Sequence, residues 1–492
     1  MKNLNLFMCC AFAVMSCSSD FPTYNDVKKQ PEPVQAKTAN EFLNSMGVCA
    51  GIDGRGETVE PSASDNMGSA ARYKYVGVRW MRAGTEGSYR SNPDELAASR
   101  KKLMDSMYRF HELTGAKFSF GIGSGAGGGK AEVEFMLDCA NELAQHGLLI
   151  ALEGANEPNN FPLGGNGGKG YDGTPGGGGD TWLGVAYQQR DIFELSRSSK
   201  YPYLNNMPIW SVSTIGAMND NVGLQYLTIP DGANTKMPDG TRYATHMNCH
   251  NYAFQNEGDW ARPNDNQTWK HSDPTSNNPG DGPYVNFGVT WNKNFKGYTN
   301  EELSNLPRVV TETGLKVFGN FSEEIHASFL MNIYLSQFKR GWSNTAIYIL
   351  RDRVDEDPIN ITYGMFRGDN TKRPAADCIR NMTTILADDV DAPLNPGTLT
   401  YVIPNQPSVI HDLLLQKTNG KYYLIVWGEK YSGGKVNATV QFGQKVKKVN
   451  VYSPRESADV QQTLDNTDAI TMTYTTNPVS YTHLTLPTIL LV

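Results

Sequence analysis

Between residues 40 and 388 short apolar runs of β-like composition alternate with longer segments whose apolar residues recur at helical spacing, and this rhythm limits the fold more than any other feature of the chain. Eight runs can be counted, at 46–52, 77–84, 117–121, 148–157, 207–216, 243–252, 308–312 and 345–350. The clearest helical segments between them are PDELAASRKKLMDSMYRFHELTG, with Leu96, Leu103, Met107 and Phe110 on one face, and FSEEIHASFLMNIYLSQFKRG, opened by a Ser-Glu-Glu capping signal. Strand and helix in alternation build a parallel sheet covered by helices. Eight such units predict an α/β chain folded as a (β/α)8 or TIM barrel over residues 40–388, with long loop insertions. The alternative is a doubly wound open sheet, which announces itself by a glycine-rich nucleotide turn after its first strand; Gly51 to Gly54 supply none.

Two insertions break the rhythm. Residues 161–180 are dominated by glycine and follow the fourth run, while 255–303 are rich in Asn, Asp, Pro and Gly and follow the sixth. In a barrel both lie on the rim that carries catalysis, and long loops in a compact domain are usually functional. The Gly-Gly-Lys-Gly of the first lacks the order of a phosphate-binding loop. Past residue 390 the texture changes to alternating strands, with Asn419-Gly420 as a hairpin turn, which predicts a β-sandwich over 389–477, truncated and packed on the flank of the barrel.

Barrel chemistry sits at the C-terminal ends of the strands, so what each run ends in is informative. The fourth ends in Asn156-Glu157-Pro158, with a further acid at Glu153, and the seventh ends in Glu312 within VVTETG. The second carries Arg82 within GVRWMRAG, and the sixth ends in His250-Asn251-Tyr252. Two carboxylates, an amide, a guanidinium, an imidazole and a phenol on one rim, without a metal-ligand set, match the needs of glycoside hydrolysis by a pair of acids. One acid protonates the leaving oxygen; the other attacks or activates water. A guanidinium beside a carboxylate favours its ionised form, and a drier setting favours the protonated form of its partner.

EGANEPN on the fourth run and TETG on the seventh resemble the acid/base and nucleophile motifs of the clan A retaining glycoside hydrolases, and the E-x-x-N-E-P-N spacing is similar above all to family 39 and its relatives. YGMFRGDNTKRPAADCIRNM (363–382) is similar to the stretch that leads into the last barrel helix of those enzymes, so the resemblance covers residues 40–477. It implies a retaining β-glycosidase acting on a polysaccharide or its oligosaccharides, with no cofactor. It also implies Glu157 as acid/base, Glu312 as nucleophile, Asn156 as a donor to the sugar 2-hydroxyl, and Arg82 and Tyr252 as the groups that keep the nucleophile ionised and oriented. His250 stands with them as a substrate-binding candidate.

Other readings stay open. Arg82 can be a buried partner of Glu153 or Asp352, His250 and Tyr252 can be rim packing, and His246 reads as a core histidine. Trp260, Trp269 and Trp291 either stack on sugar rings or anchor the long loop. The rival from another class is a surface glycan-binding lipoprotein on an inactive barrel, against which the presence of both Glu157 and Glu312 counts. An esterase or lyase lacks a GxSxG or HExxH motif.

The ends of the chain give its expected setting. MKNLNLFMCCAFAVMSCSSD has a positive start, an apolar stretch and a lipobox-like Val14-Met15-Ser16-Cys17, so residues 1–17 read as a lipoprotein signal peptide with Cys17 as the lipidated residue and 18–39 as a polar linker. The expected location is outside the cytoplasm, lipid-anchored to the envelope of a diderm bacterium. Cys49, Cys139, Cys249 and Cys378 are scattered singly in apolar patterns and read as buried free thiols. A net charge of -7 without a long basic run argues against nucleic acid as a partner. The last stretch, PVSYTHLTLPTILLV (478–492), resembles the translation of a sequencing adapter and is expected to stand outside the fold.

Overall fold

The computed structural model describes residues 30–476 and 488–491, apart from 55, 124–128, 159–160, 165–169, 175, 177–182, 214–240, 253, 258–259, 264–304, 320, 354–361, 390–394, 408 and 429–433. It opens with short strands β1 (Glu32–Gln35) and β2 (Lys37–Thr38) and helix α1 (Ala39–Ser45). The barrel strands are β3 (Met46–Cys49), β4 (Trp80–Gly84), β5 (Lys117–Gly121), β6 (Leu149–Glu153), β7 (Ile209–Trp210) and β8 (Met247–His250). A hairpin of β9 (Phe254–Glu257) and β10 (Trp260–Pro263) comes next, and then the last two barrel strands, β11 (Arg308–Thr313) and β12 (Trp342–Ile347). All eight overlap the runs expected from sequence. They pair in parallel in chain order, β12 returns to β3, and a parallel bridge from Trp210 to His246 closes the ring between β7 and β8.

Helices α2 (Ser69–Val76), α3 (Pro93–Thr114), α4 (Gly129–Gln145), α5 (Leu183–Ser196), α6 (Glu323–Lys339) and α7 (Pro374–Leu386) surround the ring. The two helices read most clearly from sequence begin and end at identifiable signals. Asn92 accepts from the N–H groups of Asp94 and Glu95 at the start of α3, and Gly115 closes it at φ 72°. Ser322 caps α6 through the N–H of Ile325. Every residue of α6 from Ile325 to Phe338 is buried, so the helix has no polar face. The sandwich supplies the reason.

Period-two alternation along the barrel strands stacks the interior in layers. Trp80 and Trp210 meet edge to face at 5.5 Å, and Cys49, Ala151, Val309 and Ala346 pack around them. Gly47 makes room, since a Cβ there would lie 2.1 Å from the Trp80 ring. Two residues beyond Trp80, Ala151 and Val309 stand Arg82, Glu153 and Thr311. The layer above the tryptophans is therefore polar.

The sandwich strands β13 (Thr398–Val402), β14 (Ile410–Gln416), β15 (Tyr422–Gly428), β16 (Gly434–Tyr452) and β17 (Val460–Thr476) follow, and β14 and β15 form the hairpin expected around Asn419-Gly420. Leu413, Leu415, Tyr423, Ile425 and Trp427 join the core of the barrel, while Leu414, Leu424 and Val426 between them join the core of the sandwich. Helix α6 is thus covered on its outer side. Trp427 Nε1 donates to Ser336 Oγ (3.2 Å), Asn332 Nδ2 to the Gly428 carbonyl (3.2 Å) and Lys339 Nζ to Asp412 Oδ1 (2.9 Å).

Two boundaries differ from the sequence reading. Residues 32–38, assigned to the linker, are strands of the sandwich sheet: β1 pairs antiparallel with β13, and β2 pairs parallel with β14. Their exposed, alternating side chains carry too little apolar signal to mark them, so backbone hydrogen bonding makes them strands. Within the tail expected to stand outside the fold, β18 (Thr488–Leu491) pairs with both β15 and β16. A short β-branched and leucyl run satisfies the open donors and acceptors of a sheet edge whatever precedes it. Residues 1–29, including Cys17, lie outside the described residues.

Arg72 ties the loop after β3 to the segment after β12. Its guanidinium, fully buried, donates to Glu57 (2.6 Å), Asp65 (2.7 Å) and Asn370 (2.7 Å). Replacement by Met takes from two buried carboxylates the cation that hydrogen-bonds them and leaves only the more distant Arg351, 3.9 Å from Asp65, at a cost of about 3–5 kcal/mol. Calorimetry should record a fall of several degrees in Tm for Arg72→Met; an unchanged Tm would contradict this account.

Candidate active site

Arg82 leaves β4 at the mouth of the barrel and reaches three partners. Its Nε lies 3.0 Å from both oxygens of Glu153, Nη2 donates to Glu153 Oε1 (2.5 Å) and Asn156 Oδ1 (2.7 Å), and Nη1 donates to Glu312 Oε2 (2.9 Å). Arg82 thus pairs at once with buried Glu153 and with Glu312. Asp352 pairs instead with Arg373 (2.7 Å). Tyr252 Oη donates to the second oxygen of Glu312 (2.6 Å), so both carboxylate oxygens are held by donors. Burial and the neighbouring Glu312 carboxylate push the Tyr252 phenol well above its ordinary range, so it remains a donor at neutral pH.

Glu312 reaches this position through an irregularity. In strict alternation Val309 and Thr311 point inward and Glu312 outward, but the register between β11 and β8 shifts between Val310 and Glu312. Such a bulge re-aims a side chain. Thr311 and Glu312, neighbours in sequence, therefore both serve the mouth. Glu157 is placed by strain: it follows the end of β6 with φ 44°, rare for a residue with a side chain, and its N–H is fixed to the Ser213 carbonyl (2.7 Å).

The two acids lie in different surroundings. His250, fully buried, sits between them with Nδ1 2.6 Å from Glu157 Oε1 and 3.7 Å from Glu312 Oε2. Its pKa is pushed down to about 4 by burial, with Arg82 acting the same way and Glu312 and Glu153 against it. At neutral pH the imidazole is uncharged. Nε2 is 3.1 Å from Thr311 Oγ1, which lies 2.8 Å from Glu153 Oε1 and 3.0 Å from Asn248 Oδ1. Glu157, His250 and Glu312 present ligand-type atoms within 4.8 Å of one another. A cation at that point, however, meets the Arg82 guanidinium and a Glu312 whose oxygens already accept from Arg82 and Tyr252. The donor set suits a carboxylate pair better than a metal.

Of the site residues expected from sequence, Arg82, Asn156, Glu157, His250, Tyr252 and Glu312 come together. His246 lies off the site, its Nδ1 2.8 Å from Thr245 Oγ1, and burial takes its pKa to about 4. Trp260 lies in β10, its side chain outside the description, and Trp269 and Trp291 fall among residues not described. Sequence reasoning passed over Thr311 and Asn248. Their signal was polarity at inward positions of otherwise apolar strands, with Asn248 two residues before His250. Cys49, Cys139, Cys249 and Cys378 are buried thiols that take part in no disulfide among the described residues.

Solved structures of similar fold include a family 39 glycoside hydrolase from the gut symbiont Bacteroides cellulosilyticus. It is 15% identical, with a TM-score of 0.53 over 93% of this chain and 82% of that one. The likeness is one of fold. SrfJ from Salmonella typhimurium is similar in the same sense, 10% identical with a TM-score of 0.50 over 95% of this chain and 93% of its own. No family model matches the sequence, and no curated protein does. A TIM barrel with a β-sandwich is thus common to this chain and both structures.

Three histidines make the stability of the protein acid-sensitive. His250 and His246 are held at about 4, and His326, buried in α6, at about 3. An unfolded chain protonates them near pH 6.5, so below that pH the unfolded state binds protons the folded state refuses. Stability is lost as pH falls from about 6.5 towards 4 and is unaffected by these groups above it. Tm measured across pH 4.5–8 should drop on the acid side; a flat profile down to pH 4.5 would contradict this.

Proposed function

We propose that this protein is a retaining glycoside hydrolase that cleaves β-glycosidic bonds of a polysaccharide or oligosaccharide by double displacement, with Glu157 as acid/base and Glu312 as nucleophile. The observation that carries the reading is the approach of Glu157 and Glu312, oxygen to oxygen within 4.8 Å across the mouth. Oxygens that near fit the roughly 5–5.5 Å carboxyl separation of a retaining pair better than the roughly 6.5–9.5 Å of an inverting pair with water between. Fold likeness to a family 39 enzyme supports the reading, as do the two sequence motifs.

The environments divide the labour. Glu312, clamped by Arg82 and Tyr252, is presented ionised to the anomeric carbon. Attack forms a glycosyl-enzyme as Glu157 gives its proton to the departing oxygen; Glu157 then takes a proton from the water that releases the sugar with net retention. Asn156 turns its amide oxygen to Arg82, which directs its nitrogen away from the guanidinium, as a donor to the sugar 2-hydroxyl requires. The substrate is a carbohydrate, and nothing in the mechanism calls on a cofactor. We further propose export and a lipid anchor at Cys17, on the strength of the signal sequence.

NMR of the first-formed product should show the retained anomer. Glu312→Ala should lose several orders of magnitude on every substrate. Glu157→Ala should lose much less on aryl glycosides with acidic leaving groups, and azide should restore its turnover as the retained glycosyl azide. An inverted first product, or near-normal activity of Glu312→Ala, would end the proposal. Separately, Cys17→Ala should move the protein out of the membrane fraction; unchanged partitioning would rule out the anchor.

A further inference from the structure

Thr311 carries one hydroxyl proton and has three polar neighbours around Oγ1. Two are acceptors. Glu153 Oε1 belongs to a carboxylate paired with Arg82, and Asn248 Oδ1 is fixed as the oxygen because it also accepts the Thr311 N–H (3.2 Å) while Nδ2 faces the Ser211 carbonyl (3.3 Å). The Thr311 proton goes to one of these two, so towards its third neighbour, His250 Nε2, the hydroxyl oxygen acts as acceptor. Nε2 therefore carries the hydrogen. An uncharged imidazole with Nε2–H has a bare lone pair on Nδ1, and Nδ1 lies 2.6 Å from Glu157 Oε1. A hydrogen bond that short between a lone pair and a carboxyl oxygen requires the proton on the carboxyl.

We infer that Thr311, held by Glu153 and Asn248, is a positioning residue that sets the tautomer of His250 so that Nδ1 latches the proton of Glu157 in the free enzyme. The inference rests on the reading of Glu157 as the acid. The proton stays on Oε1 until the carboxyl turns about its Cγ–Cδ bond and passes it to the leaving oxygen. The carboxylate left behind faces a lone pair rather than an N–H, which favours taking a proton back from the attacking water. The charged and titratable groups facing His250 are Arg82 from β4, Glu153 and Glu157 from β6 and the residues after it, Glu312 from β11, and Tyr252 beyond its own strand. Were Nδ1 protonated instead, it would be drawn towards both Glu157 and Glu312, and Glu157 would rest ionised.

The imidazole nitrogens of 15N-labelled full-length protein report the tautomer directly, with His250→Gln identifying the signals. At pH 7 the wild type should show Nε2 protonated and Nδ1 bare, and Thr311→Val should convert it to the Nδ1–H form. In kinetics, Thr311→Val should bring the alkaline limb of kcat/KM down by about one pH unit for substrates that need leaving-group protonation, leave the limb for acidic aryl leaving groups in place, and be rescued by Thr311→Ser. A wild-type spectrum with Nδ1 protonated, which needs no variant to fold, would overturn the inference, as would a tautomer that Thr311→Val does not move. The spectrum judges the latch whether or not sugar is hydrolysed; lack of hydrolysis would count against the enzymatic reading.

Discussion

The guanidinium of Arg82 is shared between two carboxylates that could not otherwise stand together. Glu153 is buried beneath the mouth and Glu312 lies at it, and both point at the same fork from different strands. A buried anion without a cation is costly, and two would be worse. With Arg82 in place, its Nε–Nη2 edge takes Glu153 and leaves Nη1 for Glu312, so one planar group fixes the height and rotation of the Glu312 carboxylate. Lysine, with its single ammonium centre, cannot divide its donors this way. Asn156 is oriented by the same guanidinium, and Thr311 by the same buried acid. Most of the site can be traced back to this one cation.

The layer beneath it is equally specific. Trp80 and Trp210, both buried, plug the barrel and give the polar groups above an apolar floor, which strengthens the electrostatic contacts at the mouth. Gly47 is the concession that admits Trp80. Both acids owe their placement to an irregularity: a register shift turns Glu312 inward and a positive φ holds Glu157.

The barrel was legible because its signal is repetitive: eight apolar runs and intervening helical periods reinforce one another, and helices such as α3 carry their caps in sequence. The two acids that meet at the mouth, Glu157 and Glu312, were legible because polar residues ended buried strands. The supporting residues were harder to see. Thr311 and Asn248 look like ordinary strand residues until the ring closes and puts β6, β8 and β11 around one point. Arg82 has two candidate partners from sequence, Glu153 and Glu312, and a fork with donors on both edges pairs with each. The strands at 32–38, on the two edges of the sandwich sheet, and at Thr488–Leu491, between β15 and β16, escaped notice because a short strand is defined by the partners it finds, a property of the sheet rather than of the segment.

Helix α6 has no side that faces water. Its inner residues complete the barrel and its outer ones, through Ser336 and Asn332, receive Trp427 and Gly428 of the sandwich. The same helix follows β11, the strand that delivers Glu312. The appended sheet is thus structurally continuous with the wall behind Glu312: a barrel stripped of its sandwich would bare the apolar outer side of α6 unless the sequence of that helix changed with it.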